Sequence, residues 1–475
     1  MKKENTIIKM LALGAIFSAM LTSCKVSKKE TTNNNAWTRP KTTVTTPTTT
    51  DNPTTTTTTI PEVAGFSLIT NETTDEVLGK CLSVSEIKFT SGKTLPHVTI
   101  PDDINGVPVT KVTIYSNERY KMIPMISLGK NVKEINGSIN TNITAVHLDS
   151  ENQYFTLIDD IIYTKDGKKL VFAPALETVT ISRGAEEIGK YSMYGIAATS
   201  LNIPGNIKKV DSYAFSSKVT NITLNEGLET IETYAFGYCK LTDITIPASV
   251  TKVDCQNFGY AQKITVAAGN TVYDSRNNCN MIIETATNKT ICAAANFSIP
   301  STVEEIGRYT FSYRYGVTSV TLPATIKKIG YGAFQYCYDL QSLKILNKDV
   351  EMEQYIISGC YKLEKFAYPS TFTNYTYSPF NDCQSLKQAV LPKIDKISNN
   401  AFSKCKSIEE IYFGESKETM ETKFPDLGKD EEYYQNAKKY YYVSTKAEVD
   451  SATYDAWTYT SDGGIYTKNG TIYIG

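Results

Sequence analysis

Short apolar alternations recur along the chain. Val320-Thr321-Leu322-Pro323, Leu201-Asn202-Ile203-Pro204 and Ile244-Thr245-Ile246-Pro247 each place apolar side chains at every second position and then stop at proline. Period two with β-branched residues predicts a three-residue strand, and proline ends it by withholding a ladder donor. Each run precedes an apolar anchor. The anchors are Val112, Ile135, Ile188, Val210, Ile231, Val253, Ile306, Ile329, Met352, Tyr375 and Ile397, spaced 21 to 23 residues apart except for two gaps of 53. Five residues after the last nine anchors stand Met193, Phe215, Phe236, Phe258, Phe311, Phe334, Ile357, Phe380 and Phe402, one large apolar group every time. Each unit therefore reads as a short strand, a turn, and a tight bend or single helical turn. No such unit can bury its own apolar face, so the units must stack into a solenoid with one continuous core. The two long units align at an offset of 118, pairing Asn152 with Asn270, Phe155 with Tyr273, Ile181 with Ile299 and Ile188 with Ile306. An insertion has been duplicated together with its flanking repeats.

The segments IETYAFGYC from Ile231, IGYGAFQYC from Ile329 and ISNNAFSKC from Ile397 resemble the BspA-type leucine-rich repeat, and the resemblance covers roughly residues 75 to 460. Val98-Thr99-Ile100-Pro101 followed by Ile104 to Val109 resembles that family's opening unit. Asn152 to Gly167 resembles its long inserted unit, where Asp166-Gly167 has the chemistry of a tight hairpin turn. The tail from Ile411, with Trp457 and Gly463-Gly464, resembles its closing cap, although Met420 stands where that cap often has tryptophan. The fold expected is a mainly β, right-handed leucine-rich-repeat superhelix of about fourteen short parallel strands with short helical turns, roughly 65 Å long at the usual strand spacing. It would occupy residues 63–414, opening cap included, with a closing cap over 415–475.

The N-terminus changes the picture. Lys2, Lys3 and Lys9 precede an apolar run from Met10 to Leu21, too short to span a bilayer as a mature helix. Leu21-Thr22-Ser23-Cys24 resembles the lipobox of bacterial lipoproteins. That resemblance implies a signal peptide over 1–23, cleavage before Cys24 and lipidation of Cys24, hence an extracytoplasmic protein anchored to the bacterial membrane and exposed at the cell surface. Residues 24–62 follow as a stalk in which thirteen of the nineteen residues 41 to 59 are threonine. Such a stretch cannot bury enough apolar area to offset its ordering entropy, so it reads as a disordered spacer.

Composition narrows the chemistry. Lys and Arg total 49 against 50 Asp and Glu, a formal charge of -1, which removes the basic field that nucleic acid binding needs. Only His97 and His147 are available to a catalytic triad or a histidine metal site. No catalytic or cofactor-binding motif is present, so the chain reads as no enzyme and without a cofactor. Beyond Cys24 there are nine cysteines, and Cys239, Cys337, Cys360, Cys383 and Cys405 share one place, eight residues after an anchor. Free cysteine packs as a small hydrophobe, and core packing is preferred here to a bridge or metal because Lys218, Ala261 and Arg314 hold the same slot elsewhere. Asp149, Glu151 and Asp159 resemble a calcium set only until the second long unit is aligned, where Ala267, Gly269 and Asn277 replace them.

The outward residue at the middle of each predicted strand offers the candidate binding surface. It runs Thr99, Ser127, His147, Thr180, Asn202, Thr223, Thr245, Thr265, Ser298, Thr321, Lys344, Ala367, Val390 and Tyr412. Threonine suits an exposed pleat for its own sake, but the hydroxyl-rich character gives way to a mixed, more apolar one after Thr321. The ligand-binding candidates are Thr180, Asn202, Thr223, Thr245, Thr265, Ser298, Thr321, Lys344 and Tyr412. Tyr191, Tyr213, Tyr234 and Tyr309, each three residues after an anchor, are expected to pack with their hydroxyls wet. The family resemblance implies an adhesin or protein-binding scaffold whose partners are host extracellular-matrix or plasma proteins, or other microbial surfaces. A glycan-capturing module is the alternative, weakened because Tyr412 is the only aromatic on the outward strip.

Overall fold

The computed structural model describes residues 66–89, 97–113, 122–123, 125–136, 142–461 and 463–473. The expected signal peptide, lipidated Cys24 and stalk lie outside them. The chain winds as a β-solenoid of about 13 turns. An antiparallel hairpin, Phe66–Asp75 with Gly79–Phe89, opens it and passes its pairing to Val107–Thr113, where Leu82 faces Val109 and Val84 faces Val112.

Two parallel ladders run the length of the coil. The first is the predicted one: Val98–Ile100, Ile126–Leu128 and Val146–Leu148 pair in register, as do Ser200–Ile203 with Asn221–Leu224, Asp243–Ile246 with Lys263–Val266, and Ser319–Leu322 with Ser342–Ile345. The second is an addition to the sequence reading. Each anchor from Ile188 onward closes a two-residue strand, so Ile188, Val210, Ile231 and Val253 are successive rungs, and Ile306, Ile329 and Met352 are three more. Two residues are too few to show a period, which is why these positions read from sequence only as apolar.

Between the ladders lies the core. Met193, Phe215, Phe236, Phe258, Phe311, Phe334, Ile357, Phe380 and Phe402 are all fully buried. Their rings stack from turn to turn, at 5.2 Å for Phe215 and Phe236, 4.8 Å for Phe311 and Phe334, and 5.1 Å for Phe380 and Phe402. Burial of each contributes about 1.5–3 kcal/mol. All nine cysteines among the described residues are buried and form no disulfide. In the column, Cys360, Cys383 and Cys405 donate to the carbonyls of Phe334, Ile357 and Phe380 one turn earlier, at 3.0–3.2 Å. Burial pushes the thiols of Cys337 and Cys383 up to about 12. The column cysteines act as small hydrophobes, and Cys360, Cys383 and Cys405 each have a satisfied donor.

The long units are three-stranded meanders. Phe155–Ile158, Ile161–Thr164 and Lys169–Phe172 run antiparallel, and the last strand sets Leu170 beside Ile188 as a rung of the second ladder. Tyr273–Asp274, Met281–Glu284 and Lys289–Ala293 repeat the plan, with Thr290 beside Ile306. The aligned asparagines start both in the same way. Asn152 donates to the carbonyls of Gly129 and Val132 and accepts from the amides of Tyr154 and Phe155. Asn270 donates to Pro247 and Val250 and accepts from Val272 and Tyr273. Gly167 takes its positive φ of 74° in the predicted turn.

Candidate functional site

The first ladder carries the candidate surface because its alternation buries one side and exposes the other. Leu201 and Ile203, Ile244 and Ile246, and Val320 and Leu322 point inward and are buried. The residues between them face out. Thr99, Ser127 and His147 are direct partners along the ladder, as are Asn202 with Thr223, Thr245 with Thr265, and Thr321 with Lys344. Adjacent rungs of a parallel ladder stand about 4.8 Å apart, so these side chains form rows at that interval. Asn202, Thr223, Thr245, Thr321 and Lys344 are exposed, and Thr265 is half-buried. Among the described residues, the hydroxyls of Thr223, Thr245, Thr265 and Thr321 have no hydrogen-bond partner.

Three of the candidates need correction. Thr180 and Ser298 are exposed but lie on irregular chain inside the long units, not on strands, because there the meander replaces the turn that would have carried a first-ladder strand. Tyr412 sits at its predicted position in Glu410–Phe413, beside Val390, but it is only 1% exposed. The closing cap covers it. After Glu410–Phe413 the chain makes a helix, Lys417–Lys423, and returns as Lys438–Tyr442 and Ala456–Tyr459, which extend the first ladder in parallel. Tyr440 stacks on Tyr412 at 4.6 Å and Trp457 meets it edge-on at 6.1 Å. Val390, Tyr412, Tyr440, Trp457 and Ile465 form a second small core, outside the solenoid's own, with Ala367 packed against it. The apolar end of the strip is thus the floor under the cap. Burial, followed by a hydrogen bond to Glu410, pushes the Tyr412 phenol far above its ordinary value. Glu410 accepts from the hydroxyls of both Tyr412 and Tyr440, at 2.8 and 3.3 Å.

At Thr265 the open surface deepens. A cleft of about 550 Å³ lies between Lys263–Val266 and the second long unit, lined among others by Gln262, Lys263, Thr265, Asn278, Asn280 and Asn296. Carboxamides dominate it. Asn280 donates to the carbonyl of Asn296 at 2.7 Å, and Asn296 donates to the side-chain oxygen of Gln262 at 3.2 Å.

The tyrosine ridge lies on the loop side. Tyr191, Tyr213, Tyr234 and Tyr309 adopt φ of 56–60°, a left-handed conformation uncommon for a bulky residue. Gly332 takes the same slot with φ 60°. Tyr213 lies 5.2 Å from Tyr191 and 5.1 Å from Tyr234, both pairs within 12° of parallel. The stacked rings of Tyr191, Tyr213 and Tyr234 cover one another's faces, which leaves no open platforms for sugars there, and burial raises the pKa of each of their phenols.

The remaining chemistry is sparse. His97 Nε2 lies 2.7 Å from Ser127 Oγ, yet the pair is solvated, and among the described residues no carboxylate bonds the ring to orient it as a general base would require. Glu151 is paired with Lys130, and Asp149 accepts from the Glu151 amide. Among the described residues, no cluster of three or more His, Cys, Asp or Glu side chains is placed to hold a metal ion.

The family model for the BspA type leucine rich repeat region matches in six copies, over residues 169–265 and 282–424, just over half of the chain. The chain belongs to the BspA-type leucine-rich-repeat family. No curated protein matches it. Among solved structures it is similar to a leucine rich cell surface protein from Faecalibacterium prausnitzii, with 20% identity, TM-score 0.47, and coverage of 75% of this chain and 95% of that one. It is also similar to the pneumococcal vaccine antigen PcpA, at 16% identity and TM-score 0.47, covering 85% of this chain and 99% of that one. A leucine-rich repeat protein from Bacteroides ovatus matches at 15% identity and TM-score 0.31, over 78% and 98% of the two chains.

Proposed function

We propose that this BspA-type protein is a lipid-anchored adhesin of the bacterial surface, held through Cys24 and the threonine-rich stalk, that grips an extended segment of a partner protein along its open strand face. The observation that carries the reading is the row Asn202, Thr223, Thr245, Thr265, Thr321 and Lys344, which is uncovered while the same register positions farther on lie beneath the cap. A near-neutral row with four hydroxyls, interrupted once by the second long unit, offers many weak contacts to an extended partner, as repeat folds commonly do. The cleft of about 550 Å³ at Thr265 offers room beside the row for a side chain of the partner. Partners of the expected kind are host matrix or plasma proteins, or other microbial surfaces. The protein acts by binding and carries out no chemistry on its partner.

The test is binding of the purified protein to arrays of extracellular-matrix proteins and of glycans at physiological salt, beside a variant with Thr223, Thr245, Thr265 and Thr321 all changed to Ala. Saturable binding to a protein, lost in an equally stable variant, is the expected result. Binding to glycans alone would replace this reading with a sugar-capturing one. Protein binding that survives the fourfold change would move the site off the strand face.

A further inference from the structure

The second long unit hides a charge. Arg314 stands in the slot that cysteine fills in five other turns, and it is fully buried. Its partners are not carboxylates. One terminal nitrogen donates to the carbonyl of Phe258 and the other to the carbonyl of Cys255 at 3.1 Å. That second nitrogen also lies 2.7 Å from Cys292 Sγ and 3.1 Å from Cys255 Sγ. Nε has no partner. A guanidinium enclosed in this way needs a negative charge nearby, because burying an unpaired ion is far costlier than burying a paired one.

The two sulfurs are not equivalent. Cys255 Sγ lies 2.9 and 3.1 Å from the carbonyls of Tyr309 and Thr310, acceptors that suit a protonated thiol. Cys292 Sγ has a carbonyl only at 3.6 Å, that of Cys255, while at 2.7 Å it meets a guanidinium N–H that can only donate. The sulfur there must accept. We infer that Cys292 is a thiolate and the counter-ion of Arg314, a buried ion pair that locks the second long unit to the turns on either side of it. The lock joins three successive pieces of chain: Cys255 from the turn before, Cys292 from the last strand of the meander, and Arg314 from the turn after.

Energetics agree with the geometry. Burial works against ionisation of Cys292, but the neighbouring Cys255 side chain and the charge of Arg314 outweigh it, and the thiol is held below its ordinary range. Asp254 opposes this, and Cys255 itself is pushed well up by burial. The first long unit is an internal control. The pairings Leu170 with Ile188 and Thr290 with Ile306, and Ile162 with Phe172 and Ile282 with Cys292, put Phe172 at the place of Cys292, and Ile196 stands at the place of Arg314; both are buried and apolar. The fold therefore accepts an uncharged joint at this place, and the second unit carries an ionic one in its stead.

The experiment is the ultraviolet absorbance of thiolate in the full chain carrying Cys24→Ser, at about pH 6, more than two units below the ordinary cysteine value of about 8.5. One thiolate per folded chain is expected, lost on unfolding in denaturant at the same pH. Cys292→Ala and Arg314→Ile should each abolish it, and Cys337→Ala should keep it. Absence of a folded-state thiolate signal in the parent protein would overturn the inference without any variant having to fold. A second readout is stability. Cys292→Ala strands the guanidinium and should raise the unfolding constant on the order of a hundredfold or more. Adding Arg314→Ile should recover much of that loss; losses that simply add would mean the two residues are not a pair.

Discussion

The strand face is one surface with two fates. At Thr245 and Thr265 the outward residues of neighbouring turns meet water, whereas at Val390 and Tyr412 the same register positions are core. The backbone does not distinguish them, since both pairs sit on parallel rungs in register. What differs is what comes next in the chain: Tyr440 and Trp457 arrive on strands that continue the ladder, and their rings pack against its last outward side chains. An outward position in a solenoid is thus a binding surface or a floor according to whether a cap returns over it.

The largest effect expected from breaking this contrast is at Trp457. Its ring is fully buried and its indole N–H donates to the carbonyl of Phe413 at 2.8 Å. Trp457→Ala should cost about 3–5 kcal/mol of cap stability. Denaturant unfolding followed by hydrogen exchange should place the loss in residues 410–472 and leave the Phe215 to Phe258 turns protected. Next comes Tyr412→Thr, which writes the open-face residue into the capped end. It should cost about 2–4 kcal/mol through lost ring packing, and an equal stability to the parent would mean the cap does not rest on this side chain.

Alkali should separate the two ends more gently. The folded phenol of Tyr412 titrates above its unfolded value of about 10, so its stabilisation is present below that pH and fades as pH rises beyond it. Unfolding midpoints from about pH 8 to 11 should fall more steeply for the parent than for Tyr412→Phe, which has no proton to lose; parallel curves would remove Tyr412 as the cause. The smallest effect belongs to the open face, where Thr245→Val should change stability by no more than about 0.5 kcal/mol. A larger change would show that the exposed row is already engaged in the fold.

The sequence carried the fold far because every turn repeats the same physical demand. One slot must be filled by a large apolar group, and Phe215, Phe236 and Phe334 declare it whatever surrounds them. Asn152 and Asn270 were legible as a pair for a like reason, since each satisfies the same four backbone groups. The reach of the candidate face was less legible. Tyr412 is covered by Trp457, 45 positions later, and no local pattern announces that return. Thr180 and Ser298 failed because the meanders displace a strand that spacing alone would supply. Arg314 was hidden more deeply: it was visible as an exception in the cysteine column, but its partners Cys255 and Cys292 come from turns separated by an insertion, where register gives no distances.

Caps also decide how long the object is. A stack of identical parallel turns would welcome another copy at either end, and head-to-tail growth into a filament is the hazard of any such coil. Here the two ladders are closed at opposite ends. The opening hairpin Phe66–Asp75 and Gly79–Phe89 turns antiparallel against the anchor side, and Ile465–Thr467 with Gly470–Ile472 does so beyond the strand face. A second molecule approaching along the axis would find one ladder out of phase at every junction.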